Sequence, residues 1–177
     1  MARIDRGSVV LAVLAGAALV TGGCAAPGPP AAAGPHPASG PAVTAGPSPD
    51  RREAAARYLA IAVAGNRRLE IDFDRLDGPD RDRLSAANAD LRDVAATEHL
   101  FDRRLLAIAF PPATGQIVRE LFTVNESRAR LTLLAARSQS LAQLRSYHRR
   151  LAAANGPVEE AVRVIRRQLG LPPPETS

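Results

Sequence analysis

Two segments of the chain carry mostly apolar residues at alternating spacings of three and four, and this repeat constrains the fold most strongly. The first set runs from residue 55 to 76 and comprises Ala55, Leu59, Ala62, Asn66, Leu69, Phe73 and Leu76. The second runs from residue 84 to 108 and comprises Leu84, Ala87, Leu91, Val94, Glu98, Phe101, Leu105 and Ile108. Such a repeat lies along one side of an α-helix. It therefore predicts two amphipathic helices that bury these faces.

Residues that start and stop helices divide the rest of the folded region. Asp50 and Glu53 form a capping-box pattern before the first helix, and Gly78 and Pro79 separate the first two helices. A third helix is predicted from Pro112 to about residue 154, with a stripe of Phe122, Asn125, Ala129, Leu133, Ala136, Ser140, Leu144, Tyr147 and Leu151. The segment 155–157, Asn-Gly-Pro, then predicts a turn and a short fourth helix that folds back over the far end. The expected fold is all-α, an antiparallel three-helix bundle with a short fourth C-terminal helix over residues 51–170.

The two ends of the chain differ in composition from this region. Residues 24–50 contain eight prolines and four glycines and cannot bury enough apolar surface to fold, so they predict a disordered tether. Residues 171–177, LPPPETS, predict a disordered tail. Residues 1–23 begin with Arg3 and Arg6, continue with an apolar run from Val9 to Val20 and end in small residues, which is the layout of a secretory signal peptide.

The junction between signal peptide and tether resembles the lipobox of bacterial lipoproteins. Thr21, Gly22 and Gly23 directly precede Cys24, although the family usually has leucine where this chain has Thr21. The resemblance implies cleavage before Cys24 and lipid on its thioether and amino group. Several acyl chains would hold the protein lastingly on a membrane. The expected location is therefore extracytoplasmic, anchored to the cell membrane through Cys24; a secreted soluble protein is the alternative.

Polar residues interrupt the predicted apolar faces. Asn66, Glu98 and Asn125 occupy helix positions that should be buried, and Arg128 follows one turn after Asn125. Glu98 is expected to accept hydrogen bonds from Asn125 and Arg128. One interpretation is a buried polar set that fixes the register of the helices, in which case Glu98→Leu would keep or raise stability. The other is a small-ligand sensor or carrier that binds at this level.

The chain carries a formal net charge of +5, and all 23 of its basic residues are arginine. A basic surface is predicted at the distal end from Arg145, Arg149, Arg150, Arg163, Arg166 and Arg167. It could face an anionic wall polymer, lipid headgroups or an acidic envelope protein, and the alternative is a solvated face without a specific partner. Acidic residues are interspersed along the chain and aromatics are few, which argues against nucleic acid as a partner.

No residue set in the sequence indicates catalysis. Neither His99 nor His148 has glutamate three residues before it, so the Glu-x-x-His pairs of di-metal bundles are absent. His99 and Asp102 are expected to form a surface pair. We expect neither a metal nor another cofactor, and no enzyme. The expected function is that of a lipid-anchored cell-envelope protein whose bundle is a binding or scaffolding module.

Overall fold

The computed structural model describes residues 49–174, which form α1 (Pro49–Asp77), α2 (Leu84–Leu106), α3 (Pro112–Ala135), α4 (Leu141–Ser146) and α5 (His148–Leu169). Within these residues there is no β-strand, so the all-α prediction is confirmed. The signal peptide, Cys24, nearly all of the tether and residues 175–177 lie outside the described residues. The predictions made for them stay predictions.

The first two helices form an antiparallel pair, as the short connection between them predicted. All of the predicted face residues on α1 and α2 are buried or half-buried. Two contacts define the register: a Cβ on Gly65 would lie 3.8 Å from Cδ2 of Phe101, and Arg75 Nε lies 3.7 Å from Asp90 Oδ1. Position 65 is thus level with 101, and position 75 with 90.

The long helices pack in the order α1, α2, α3 and α5, and α5 also contacts α1, so the bundle closes on itself. Its main core contains fully buried residues from all four, among them Tyr58, Leu105, Leu121 and Ile165. A second, smaller core lies at the end nearer the α1–α2 turn and includes Leu91 and Leu144. No helix within residues 49–174 is long and apolar enough to cross a membrane.

The predicted third helix is too long, because α3 ends at Ala135 rather than continuing to residue 154. After Ala135, serine side chains form hydrogen bonds with backbone groups and so compete with the backbone hydrogen bonds that would continue the helix. Ser138 Oγ donates to the carbonyl of Ala135 at 2.7 Å, and Ser140 caps α4 by accepting from the backbone N–H of Gln143 at 3.1 Å. Asn88 on α2 donates to the carbonyl of Ser138 at 2.9 Å, which fixes the break against the bundle.

The predicted turn at residues 155–157 is also wrong, because Pro157 lies inside α5. Proline removes one backbone hydrogen bond and bends a helix without always ending it, and α5 is bent. With 22 residues, α5 is about 33 Å long and returns to the end where α1 starts. There, Arg51 Nη2 donates to the carbonyl of Arg167 at 3.5 Å. The predicted short fourth helix is thus part of α5, which completes the bundle as its fourth long helix instead of capping its far end.

Candidate functional site: a buried polar layer and an outer groove

A buried ion pair crosses the middle of the bundle. Glu98 on α2 is 0% exposed and Arg128 on α3 is 2% exposed, and Arg128 Nη1 pairs with Glu98 Oε1. Burial lowers the pKa of Arg128 to about 10, an effect that the carboxylate of Glu159 opposes. Removing two charges from water is costly, and breaking such a pair leaves an uncompensated charge in the core. This ion pair is the contact that was predicted between Glu98 and Arg128.

The same arginine connects the pair to α5. Arg128 Nε donates to Asn155 Oδ1 at 2.7 Å, and Asn155 is buried. Asn155 lies two residues before Pro157, in the segment that was predicted to be a turn. In the structure this segment is helical and places a hydrogen-bond acceptor in the core. One guanidinium thereby holds α2, α3 and α5 at a single level.

Asn125 does not bind Glu98, contrary to the prediction. Its Nδ2 donates to Asp102 Oδ1 at 2.9 Å, and both residues are at most 1% exposed. Burial raises the pKa of Asp102 to about 7, although the hydrogen bond from Asn125 acts in the opposite direction. The sequence analysis predicted that Asp102 lies on the surface. Asp102 follows Glu98 by four residues and so shares its helix face, and this spacing would have predicted that Asp102 is buried.

His99 pairs with a different carboxylate from the one expected. Its Nδ1 lies 2.7 Å from Glu126 Oε1, and both side chains are partly exposed. Glu126 and His99 are close enough to Asp102 to affect its pKa, Glu126 raising it and His99 lowering it. Three ionisable side chains therefore lie together between α2 and α3.

Asn66 is the fourth predicted member of the polar set and lies on α1. Its side chain is buried, and neither Oδ1 nor Nδ2 has a hydrogen-bond partner within residues 49–174. Glu98 Oε2 and Asp102 Oδ2 are also unpartnered within that range. All four predicted polar residues are thus in the core, but among them only the ion pair between Glu98 and Arg128 joins two members of the set. Asn66 makes none of the hydrogen bonds that hold the others.

The predicted basic surface is not formed, because its members lie at opposite ends of the bundle. Arg149 and Arg167 are both on α5, separated by about 27 Å of helix rise. Arg166 is completely buried, and its Nε donates to the carbonyl of Pro172 at 2.6 Å. Arg163 pairs with Glu160. Of the remaining members, Arg145, Arg149 and Arg150 are exposed near the start of α5 and Arg167 near its end.

An open groove of about 450 Å³ lies on the outside of the bundle between α1 and α2. Its lining consists of Arg68, Ile71, Asp72, Arg75, Asp93, Ala96, Thr97, Leu100 and Arg103. Ile71 is 51% exposed, and within residues 49–174 three other large apolar side chains are exposed to a similar extent: Val63, Leu106 and Leu134. Sequence reasoning missed this groove, although Ile71 on the outer face of α1 was a visible signal.

Arg75 is held at one end of the groove by two aspartates. It forms an ion pair with Asp72, and its Nε is 3.7 Å from Asp90 Oδ1. Burial raises the pKa of Asp72, and the hydrogen bond from Arg75 opposes that rise. These pairs fix the wall of the groove near the α1–α2 turn.

Comparison with protein-family models, curated proteins and solved structures finds no match to this chain. No group of three or more His, Cys, Asp or Glu side chains within residues 49–174 is arranged to hold a metal ion. The proposal for its function therefore depends on the residues themselves.

Proposed function

We propose that this protein is a lipid-anchored component of the cell envelope whose helical bundle acts as a binding or scaffolding module through its outer surface. The observation that carries this proposal is the contrast between the interior and the exterior of the bundle. Glu98, Arg128 and Asn155 are connected to one another in the core, whereas the groove around Ile71 is open to solvent.

The interior contacts favour a structural role for the polar layer. Arg128 uses Nη1 for Glu98 and Nε for Asn155, so the guanidinium is already engaged with the protein on two sides. A single buried polar contact between helices fixes their register, as in coiled coils. The lining of the outer groove contains three arginines, Arg68, Arg75 and Arg103, and arginine is enriched in protein interfaces.

The anchor is proposed from Cys24 and the residues before it. At ~3.1 Å per residue, a tether of residues 24–50 would allow the bundle to reach up to about 80 Å from a membrane. Such reach suits a module that meets a partner some distance from the bilayer.

A photo-activatable amino acid placed in the groove tests the proposed module in intact cells. Leu100 lines the groove, whereas Leu134 is 47% exposed on α3 and lies outside it, which makes it a matched control position. We expect covalent adducts from position 100 and none above background from position 134. Equal yields at both positions would contradict binding through the groove.

A small-ligand carrier is the second candidate, and the unpartnered polar atoms of Asn66, Glu98 and Asp102 favour it. A ligand held by these atoms would raise the midpoint of thermal unfolding when an envelope extract is added. Replacing Asn66 with Leu would remove that increase while leaving the Glu98–Arg128 pair intact. An increase that survives in Asn66→Leu would contradict binding at this level.

A further inference from the structure

One segment of the bundle carries all of its net positive charge. Residues 127–158, which run from α3 through α4 into α5, contain six arginines and no acidic residue. The other described residues, 49–126 and 159–174, contain 15 arginines and 16 acidic residues. The formal charges elsewhere on the bundle are therefore nearly balanced, whereas this segment has a surplus of six positive charges.

Two of the six arginines have acidic partners. Arg128 is buried against Glu98. Arg130 Nη2 lies 4.0 Å from Glu126 Oε2. The other four are exposed and form no ion pair within residues 49–174. We call these four the distal arginine cluster: Arg137, Arg145, Arg149 and Arg150.

The register of α3 and α5 places the distal arginine cluster at one end of the bundle. Arg128 Nε donates to Asn155 Oδ1, so these two residues lie level with each other. From that level α3 continues for about 10 Å to Ala135, and α5 extends as far in the same direction to its start at His148. Since α1 starts beside the other end of α5, the cluster lies at the end of the bundle away from the start of α1.

The side chains around the cluster are polar or partly buried. Within residues 136–150 no large apolar side chain is exposed, whereas protein interfaces usually have apolar or aromatic anchors at their centre. Tyr147 is half-buried and Arg150 lies 5.4 Å over its ring, so this ring is a poor platform for stacking a nucleobase. Burial lowers the pKa of His148, an effect that Asp77 at the end of α1 opposes, so one carboxylate borders the cluster on the α1 side.

We propose that the distal arginine cluster binds a linear phosphate polymer of the cell envelope that carries no nucleobases. A guanidinium group donates two parallel hydrogen bonds to a phosphate, and clusters of arginine recognise phosphate groups. Each contact on an exposed surface is weak alone. A polymer that contacts several arginines at once adds these contributions and releases counterions, whereas a small anion makes only one or two of the contacts.

The position of the cluster suits a partner located away from the membrane. In the proposed anchored protein the tether joins the bundle at Pro49, the first residue of α1, so the cluster faces away from the attachment point. This inference rests on the proposed location in the envelope but not on the outer groove. The two surfaces can fail separately: a lack of adducts from position 100 would exclude the groove alone, and a lack of polymer binding would exclude the cluster alone.

Titration of fluorescently labelled poly(glycerol phosphate) with the full chain in detergent tests the proposal. The test variant combines three substitutions in the cluster and leaves the contact between Arg150 and Tyr147 intact: Arg137→Gln, Arg145→Gln and Arg149→Gln. The control variant removes three exposed arginines that lie towards the other end of the bundle and form no ion pair within residues 49–174: Arg52→Gln, Arg104→Gln and Arg119→Gln. Both variants lose the same net charge.

The expected effect follows from the release of counterions. Loss of three phosphate contacts should reduce the slope of log affinity against log salt concentration by about 2, and should lower the affinity at about 0.1 M salt roughly hundredfold. At that ionic strength charges more than ~10 Å away are largely screened. We therefore expect the control variant to lose less than about threefold in affinity and to keep the slope of the native chain.

Equal losses of affinity in the two variants would overturn the cluster as the binding site, because binding would then follow net charge alone. Binding of oligothymidylate or polygalacturonate as tight as that of poly(glycerol phosphate) would overturn the assignment to a phosphate polymer without nucleobases. Circular dichroism of each variant checks that the bundle is folded. Should the triple variant fail to fold, Arg149→Gln alone should lower the affinity roughly fivefold, and Arg52→Gln is its matched control.

Discussion

Replacing Asp102 with asparagine should stabilise the bundle at alkaline pH and have little effect at acidic pH. Asp102 is 1% exposed, and burial raises the pKa of its carboxyl from 3.8 to about 7. Asparagine has nearly the same shape and keeps the oxygen that accepts from Asn125 Nδ2 at 2.9 Å. The substitution therefore removes the charge without removing the hydrogen bond.

The direction and size follow from proton linkage. The folded protein keeps the proton on Asp102 to a higher pH than the unfolded chain, so this group lowers the free energy of unfolding as the pH rises between about 4 and 7. Each pKa unit corresponds to about 1.4 kcal/mol, so three units give an upper limit of about 4 kcal/mol. We expect Asp102→Asn to be more stable than the native chain by up to this amount above pH 7, and the difference to vanish near pH 4.

Urea unfolding at a series of pH values measures the effect. The difference between variant and native chain isolates Asp102 from Asp72 and Asp90, whose pKa values burial also raises. Asp74→Asn replaces an exposed carboxylate on α1 and should give a small difference at every pH. A difference for Asp102→Asn that does not change between pH 4 and 8 would refute the assignment of a buried, uncharged Asp102.

Further predictions concern the polar layer and the end of α5. Glu98→Leu alone should lower the free energy of unfolding by about 3–5 kcal/mol, because Arg128 stays buried without its partner. Combining Glu98→Leu with Arg128→Met should recover most of that loss, since no unpaired charge is then buried. Equal denaturation midpoints for the single and double variants would contradict this. Asn155→Ala should cost about 1–3 kcal/mol by removing the acceptor of Arg128 Nε, as chemical denaturation would show, and a neutral result would exclude that hydrogen bond as stabilising. Gly170→Ala should lower stability by about 1 kcal/mol because φ is +72° and a Cβ would lie 3.1 Å from Arg51 Nη2; an unchanged midpoint would refute strain at this cap.

The earlier expectation for Glu98→Leu shows what the sequence could not supply. A polar residue on an apolar helix face can be recognised from the sequence alone, but the change in stability when it is replaced depends on which residue it contacts. Glu98 was expected to fix the register of the helices through hydrogen bonds with Asn125 and Arg128, and Glu98→Leu was expected to keep or raise stability. The structure pairs it with a buried arginine, so the same substitution now has the opposite expected effect.

The repeat was sufficient to predict α1 and α2 because burial along a regular helix depends on spacing alone. It predicted Asn66 and Glu98 as buried for the same reason, the stripe of the third helix predicted Asn125 as buried, and all three are buried in the structure. Local signals failed where tertiary contacts outweighed them. Pro157 would start a helix by its own preference, but α5 continues through it while Asn155 accepts a hydrogen bond from Arg128.

The outer groove could not be predicted from either helix alone. Arg68 and Ile71 share one face of α1, and Asp93 and Leu100 share one face of α2, but only the antiparallel register brings the two faces together. A sequence repeat with several equivalent alignments does not specify that register. The ion pair between Arg75 and Asp90 in the structure defines the register of α1 and α2.

Intact mass spectrometry of the membrane fraction of a bacterial host tests the proposed anchored module most directly. The native chain is compared with Cys24→Ala, each expressed with its own first 23 residues. We expect the native chain to begin at Cys24 with the added mass of acyl chains, and the variant to lack that mass and leave the membrane fraction. A native chain recovered from the medium without added mass would contradict the anchor and would favour a diffusible binding protein.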